Sequence, residues 1–158
     1  MKNNLKIGDI LPSFSLPNQH NEQTSIESLR RDNNLVLYFY PKDDTPVCTK
    51  EACGFRNNYE QFLGYNCSVV GISADSPESH RAFIKRHNLP FTLLSDIDNK
   101  VRNQLGVPRD FLGLLSGRYT YVIDKDGVVK SIINHFLNAS KHITQSLKAL
   151  EDEQRTNH

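Results

Sequence analysis

The chain has 158 residues, enough for one domain with a sizeable core, and its 19 Lys and Arg against 18 Asp and Glu give a formal net charge of +1. That balance offers no basic field for nucleic acid, and no apolar run approaches the roughly 20 residues of a membrane helix. Three cysteines, Cys48, Cys53 and Cys67, are too few and too odd in number for a disulfide scaffold and suit redox-active thiols in reducing surroundings.

The opening Met1-Lys2-Asn3-Asn4-Leu5-Lys6 lacks the apolar region of a secretion signal. The expected location is therefore cytoplasmic, or a reducing organelle interior if a leader peptide has been removed. Phe14-Ser15-Leu16 alternates as a short strand does, and residues 17–23 form a turn-rich connection. Thr24 or Ser25 is placed to cap a short helix through Leu29. Leu35-Val36-Leu37-Tyr38-Phe39-Tyr40 is a compact apolar run, the pattern of a buried strand. Pro41 stops it, Asp43 and Asp44 make a turn, and Thr45 is an N-cap with Pro46 at the first helical position. One helix is expected over 46–62, with Phe55, Tyr59 and Phe62 facing inward and Gly64 ending it.

Cys67-Ser68-Val69-Val70-Gly71-Ile72-Ser73 has the β-branched and small residues of a central parallel strand. Its first residue, Cys67, reads as a small hydrophobe or a surface thiol. Ser76 and Pro77 repeat the cap-plus-proline signal, opening a helix to about Asn88. A strand follows over 91–94, and a short helix runs from Asp98 or Asn99 to Leu105-Gly106. Residues 106–117 form a long loop with an apolar middle, Phe111-Leu112-Gly113-Leu114-Leu115, read equally as a lid or interface and as a satellite core. A fourth strand spans 118–124, Asp126-Gly127 is a hairpin turn, and 128–133 return antiparallel. The last helix spans 140–150, with Ile143, Leu147 and Leu150 on one face. The sum is an α/β fold with a mixed central sheet flanked by helices, one domain over 1–151 and a polar, frayed tail over 152–158.

Chemistry concentrates in the stretch from Pro41 to Cys53. Counting from Thr45 puts Cys48 at the third helical position, where unpaired backbone N–H groups and the positive end of the helix dipole favour a thiolate. Cys48 and Cys53 lie five residues apart, which on an ideal helix means about 7.5 Å of rise, roughly 140° of rotation and Cα atoms about 8.6 Å apart. A disulfide needs about 4.4–6.8 Å, so a bond between them requires the helix start to unwind. The spacing is not the C-x-x-C of a dithiol oxidoreductase. No zinc-ligand spacing is present, and no nucleophile-elbow motif supports a cysteine hydrolase. The six histidines show no paired metal spacing and read as surface or partly buried filler. A redox-regulated binding protein that unmasks the apolar 111–115 loop is one reading, and a dithiol–disulfide oxidoreductase is another.

The segment Tyr38-Phe39-Tyr40-Pro41-Lys42-Asp43-Asp44-Thr45-Pro46-Val47-Cys48-Thr49-Lys50-Glu51-Ala52-Cys53 resembles the peroxiredoxins of the Q type, the bacterioferritin comigratory protein group. The likeness continues through Val70-Gly71-Ile72-Ser73, Leu89-Pro90-Phe91-Thr92-Leu93-Leu94-Ser95-Asp96 and Gly117-Arg118-Tyr119-Thr120-Tyr121-Val122-Ile123-Asp124. The resemblance implies a thioredoxin-like fold and an atypical two-cysteine thiol peroxidase acting on hydrogen peroxide and organic hydroperoxides. It needs no metal or organic cofactor, is reduced by thioredoxin or a similar dithiol, and is a monomer or dimer. By resemblance Cys48 is the peroxidatic cysteine, Cys53 the resolving one, and Pro41 the proline that shields the pocket. Thr45 supplies a hydroxyl to thiolate and peroxide, Arg118 neutralises the thiolate and orients peroxide, and Glu51 is an acid near that arginine. Two positions depart from the common pattern: Val47 stands where many relatives have glycine, and Ser116 where many have proline.

Overall fold

The computed structural model describes residues 4–110 and 115–156. Its centre is the run read as a buried strand, here β3 (Asn34–Phe39). It pairs in parallel with β4 (Cys67–Ser73), which pairs in parallel with β5 (Thr92–Ser95). On its other side β3 meets β8 (Tyr119–Ile123) antiparallel, and β8 continues to β9 (Val129–Ile133) through the Asp126-Gly127 turn. The five-stranded order is β5-β4-β3-β8-β9. Gly127 has φ +85°, which is why this turn uses glycine. Among the described residues, two small ladders lie outside the sheet. One joins β1 (Ser15–Pro17) to β2 (Gln23–Ser25), and the other joins β6 (Arg109–Asp110) to β7 (Leu115–Ser116).

Period-two alternation along β3 splits the core between the two faces of the sheet. Leu35, Leu37 and Phe39 pack with Ile26 of α1 (Ile26–Arg30) and with Val101 and Leu105 of α5 (Lys100–Leu105). Val36, Tyr38 and Tyr40 point the other way. They join residues of α2 (Pro46–Asn57), α3 (Tyr59–Gly64), α4 (Pro77–His87) and α6 (Ala139–Thr156). Gly71 lets β3 and β4 share that face, because a Cβ there would stand 2.8 Å from the Tyr38 ring and 2.7 Å from Leu93.

Several boundaries differ from the sequence expectation. The single helix over 46–62 is two helices, α2 and α3, broken at Asn58 (φ −111°, ψ 15°). The Asn58 side-chain amide donates to the Gly54 carbonyl at 2.8 Å, the local competition with the helix ladder that asparagine offers. Phe55 and Phe62 are nonetheless fully buried, as their spacing indicated. Gly64 is the last residue of α3, as expected, and the left-handed residue beyond it is Asn66 (φ +53°). The last helix is longer than expected: α6 runs through Thr156, with Lys148–Asp152 and Arg155–Glu151 pairs at i,i+4 spacing. Residues 111–114, most of the apolar loop middle, lie outside the described residues, so its reading as lid, interface or satellite core does too.

Candidate active site

The sheet register delivers the site. Phe39 pairs with Tyr119, so Arg118 stands beside the end of β3, where the chain turns through Pro41 into α2. That turn is braced from α4 and β4. The Tyr40 hydroxyl donates to Asp43 Oδ1 at 2.5 Å and the Ser79 hydroxyl to Asp43 Oδ2 at 2.9 Å. His80 Nδ1 lies 2.8 Å from the same Oδ2, and His80 Nε2 reaches the Leu94 carbonyl at 3.1 Å. The Asp43 N–H donates to Asp75 Oδ2 at 2.8 Å, which also accepts from the Ser73 hydroxyl at 2.6 Å. Asp43, Asp75 and His80 thus bring metal-type ligand atoms within 4.8 Å of one another, but those atoms are already engaged in hydrogen bonds. The cluster clamps the turn ahead of Cys48. Asp44 takes a left-handed conformation (φ +63°) that aspartate tolerates.

Thr45 is the N-cap of α2 by its extended backbone (φ −85°, ψ 152°) and Pro46 follows, as expected. Its side chain corrects the expectation of a capping hydroxyl. Oγ1 donates to the Lys42 carbonyl at 2.9 Å, and no side chain among the described residues caps the helix. The first turn also holds no acid, so its N–H groups and dipole stay directed at whatever anion occupies position 48.

Cys48 is buried there, and Arg118 Nη2 donates to its Sγ at 3.3 Å. The guanidinium is held on its other edges. Nη1 donates to Glu51 Oε1 at 2.8 Å, Nε donates to the Phe136 carbonyl at 2.8 Å, and the cation lies 5.5 Å from the centre of the Phe136 ring. Burial works against the arginine charge, but Glu51 and Cys48 outweigh it and its pKa is raised. Glu51, one turn beyond Cys48, is completely buried, and burial pushes its carboxyl up to about 7 against the pull of Arg118. It is therefore not a helix-surface acid.

Behind Glu51 stands His142 of α6, fully buried, with Nδ1 at 2.7 Å from Thr120 Oγ1 and 3.4 Å from Glu51 Oε2. Its Nε2 is 2.8 Å from the His135 carbonyl. Burial lowers the imidazole to about 4; the hydrogen bond to the His135 carbonyl opposes this, and the charges of Arg118 and His135 add to it. Gly54 brings α2 this close to α6, since a Cβ would stand 2.8 Å from Ile143 Cδ1.

The structure therefore joins Cys48, Glu51 and Arg118 in direct contact, with Thr45 at the helix start and Pro41 half-buried at the strand end. Cys53 lies on the same intact helix, partly exposed, and all three cysteines are unbonded. Cys67 is buried at the start of β4, and burial pushes its thiol up to about 12, an inert structural group. Sequence reasoning missed His142, Thr120, Phe136 and Arg102. It also read His80 and His142 as filler, whereas both are wholly buried and hydrogen-bonded. A signal existed for His142, because 139, 142, 143, 146 and 150 share the inward stripe of α6. Arg102 Nη2 donates to the Gly117 carbonyl at 2.8 Å and its cation lies over the Phe39 ring, bracing the approach to Arg118.

Residues 7–132 match the model of the AhpC/TSA family. The chain belongs to that family. Its relatives place it in the peroxiredoxin Q group: it is 50% identical over 144 residues to the chloroplastic peroxiredoxin Q of Sedum lineare, covering 91% of this chain and 77% of that one. The chloroplastic peroxiredoxin Q of Populus jackii is also 50% identical, with 91% and 67% covered. Among solved structures, the peroxidoxin BcpB of Mycobacterium tuberculosis superposes with a TM-score of 0.87 at 36% identity, covering 94% of this chain and 98% of that one. A Xanthomonas campestris peroxiredoxin Q does so at 0.80 and 27%, covering 88% and 90%. The mixed sheet with helices on both faces is accordingly the thioredoxin-like fold in its peroxiredoxin variant. The activity of this peroxiredoxin is that of a thiol peroxidase working through cysteine oxidation.

Proposed function

We propose that the chain reduces hydrogen peroxide and organic hydroperoxides through Cys48, resolves the oxidised cysteine with Cys53, and is recycled by thioredoxin or a similar dithiol. The observation that carries this reading is the Arg118 guanidinium, held by Glu51 and Phe136 and donating to Cys48 Sγ at the uncapped start of α2. The Cys48 thiolate attacks the distal peroxide oxygen, the S–O bond forms, and the O–O bond breaks. Charge moves to the leaving oxygen, which departs as water or an alcohol after taking a proton. Arg118 and the N–H groups of the helix start face that charge, and the Thr45 hydroxyl stands at the same turn.

Cys48 is left as a sulfenic acid. On intact α2 Cys53 cannot reach it, because five helical residues hold the Cα atoms about 8.6 Å apart. The first turns unwind, the Cys53 thiolate attacks the Cys48 sulfur, water leaves, and the disulfide forms. An external dithiol reduces that disulfide by exchange. This chemistry belongs in a reducing compartment, the cytoplasm or an organelle interior.

Steady-state turnover of hydrogen peroxide, tert-butyl hydroperoxide and cumene hydroperoxide, each with thioredoxin or with glutathione and glutaredoxin, tests the proposal. Saturable turnover with thioredoxin is expected. Oxidation no faster than that of a free thiol would defeat it.

A further inference from the structure

The Glu51–His142 contact has a gap that the function above does not use. A carbonyl only accepts, so the 2.8 Å contact to His135 fixes the His142 proton on Nε2. Nδ1 then carries a lone pair, which takes the Thr120 hydroxyl proton at 2.7 Å. Glu51 Oε2 faces that same lone pair at 3.4 Å and has no hydrogen-bond partner among the described residues, although it is fully buried. The contact lies within ion-pair distance, yet no proton sits in it. A buried acceptor facing another acceptor is unfavourable, and one added proton between them gives Oε2 its missing partner, in competition with the Thr120 hydroxyl for the single Nδ1 lone pair.

Resting on the peroxidase reading, we propose that His142 is a positioning residue of the peroxide step. It shares one proton with the Glu51 carboxyl across the α2–α6 interface, and so keeps Glu51 neutral while Oε1 still holds Arg118. With that proton in place the Arg118 charge is left for the Cys48 thiolate and the peroxide. Without it, an anionic Glu51 competes for the same cation. Lowered basicity of the buried imidazole and the raised Glu51 carboxyl both put the proton on the Glu51 side. Among the described residues, four other titratable groups face the pair. Cys48 comes from α2 and Arg118 from the approach to β8. Tyr38 of β3 feels the Glu51 charge, and its hydroxyl has no hydrogen-bond partner among the described residues. His135 precedes α6, with its ring at 6.4 Å from that of His142.

The test is the pH profile of Cys48 oxidation by hydrogen peroxide, read by rapid quench and thiol alkylation in the full chain. The wild-type rate constant should fall at the alkaline end as the shared proton is lost. Glu51→Gln, whose amide can donate to His142 Nδ1 and whose oxygen can accept from Arg118, should lose the fall, whatever its plateau rate. His142→Asn can present an N–H to Glu51, stabilising its carboxylate, and should move the fall to lower pH by about one unit. Thr120→Val leaves Nδ1 to Glu51 alone and should move it to higher pH. A merely structural role would not shift the two in opposite directions. Coincident profiles, or a Glu51→Gln profile that keeps the wild-type alkaline fall, would overturn the proposal.

A second readout needs no turnover. In the reduced protein, the ¹⁵N resonance of His142 Nδ1 should titrate with Glu51 and lose that titration in Glu51→Gln. An identical titration in both proteins would overturn the proton sharing. If the wild type failed to oxidise Cys48 at all, the peroxidase reading would fall, while this resonance would still decide whether the proton is shared.

Discussion

Arg118→Met separates what the arginine does for the chemistry from what it does for the fold. The substitution keeps much of the side chain's bulk and removes the hydrogen bonds donated to Cys48 Sγ, Glu51 Oε1 and the Phe136 carbonyl. Losing one preorganised donor aimed at developing charge slows a reaction by about 10²–10³, or ~2.7–4 kcal/mol, and that is the expected loss in the peroxide step. Stripping the cation from a buried pair costs ~3–5 kcal/mol of stability when the partner must remain charged. Here the partner has an alternative, because burial already holds Glu51 at about 7, and without Arg118 it keeps its proton to higher pH. The stability loss should therefore be smaller at pH about 6 and grow toward pH about 8, where keeping that proton becomes harder. Rapid-quench oxidation measures the first effect, and urea unfolding at the two pH values measures the second. The reasoning fails if raising the pH to about 10, where an ordinary thiol is ionised, restores the full rate. Arg118 would then serve only to ionise Cys48.

Other perturbations follow from the same contacts. Cys48→Ser should abolish peroxide turnover, and Cys53→Ser should allow one oxidation per chain but no thioredoxin-linked cycling. Cys67→Ser should leave both nearly unchanged, with steady-state assays deciding all three. Gly71→Ala should cost about 1–3 kcal/mol in urea unfolding, because its methyl group meets the Tyr38 ring and Leu93 in a packed core. Glu51, raised from 4.5 to about 7, contributes stability that is present at low pH and lost as pH rises through about 7. His142, lowered from 6.5 to about 4, contributes stability present above 6.5 and lost as pH falls through about 4. Each amounts to ~3 kcal/mol and they oppose one another between 4.5 and 6.5. Glu51→Gln should thus leave a stability that climbs with pH through that window, and His142→Asn one that falls. Unchanged unfolding profiles in both would contradict the burial argument.

What the sequence made legible has a common physical origin. The run around β3, the Ser76-Pro77 cap of α4, the Asp126-Gly127 turn and the Thr45-Pro46 start of α2 are all local signals, decided within a few residues. Ser76 indeed accepts from the Ser79 N–H, and Asn88 ends α4 in the left-handed conformation. The break at Asn58 turns on a side chain choosing the Gly54 carbonyl over solvent, which periodicity does not register. Arg102, His142 and Thr120 owe their roles to partners far along the chain, so spacing alone could not assign them. In the candidate site, the thiol at the helix start was a local signal. Its contact with Arg118 depends on a strand register 70 residues away and came from resemblance, not from patterning.

The central claim is that Cys48 and Cys53 bond only when the start of α2 opens. The reduced chain has both on an intact helix. Phe55, stacked on Tyr38 at 4.7 Å and fully buried, is the anchor at which opening should stop, since unseating such a side chain costs ~3–5 kcal/mol. Amide hydrogen exchange on matched reduced and peroxide-treated samples, with peptide mass spectrometry confirming the Cys48–Cys53 bond, tests this directly. Exchange should accelerate mainly across residues 45–54 in the oxidised sample, while β3, β4, β8 and α6 keep their protection. Equal protection of 45–54 in both samples, with the bond confirmed, would contradict the account.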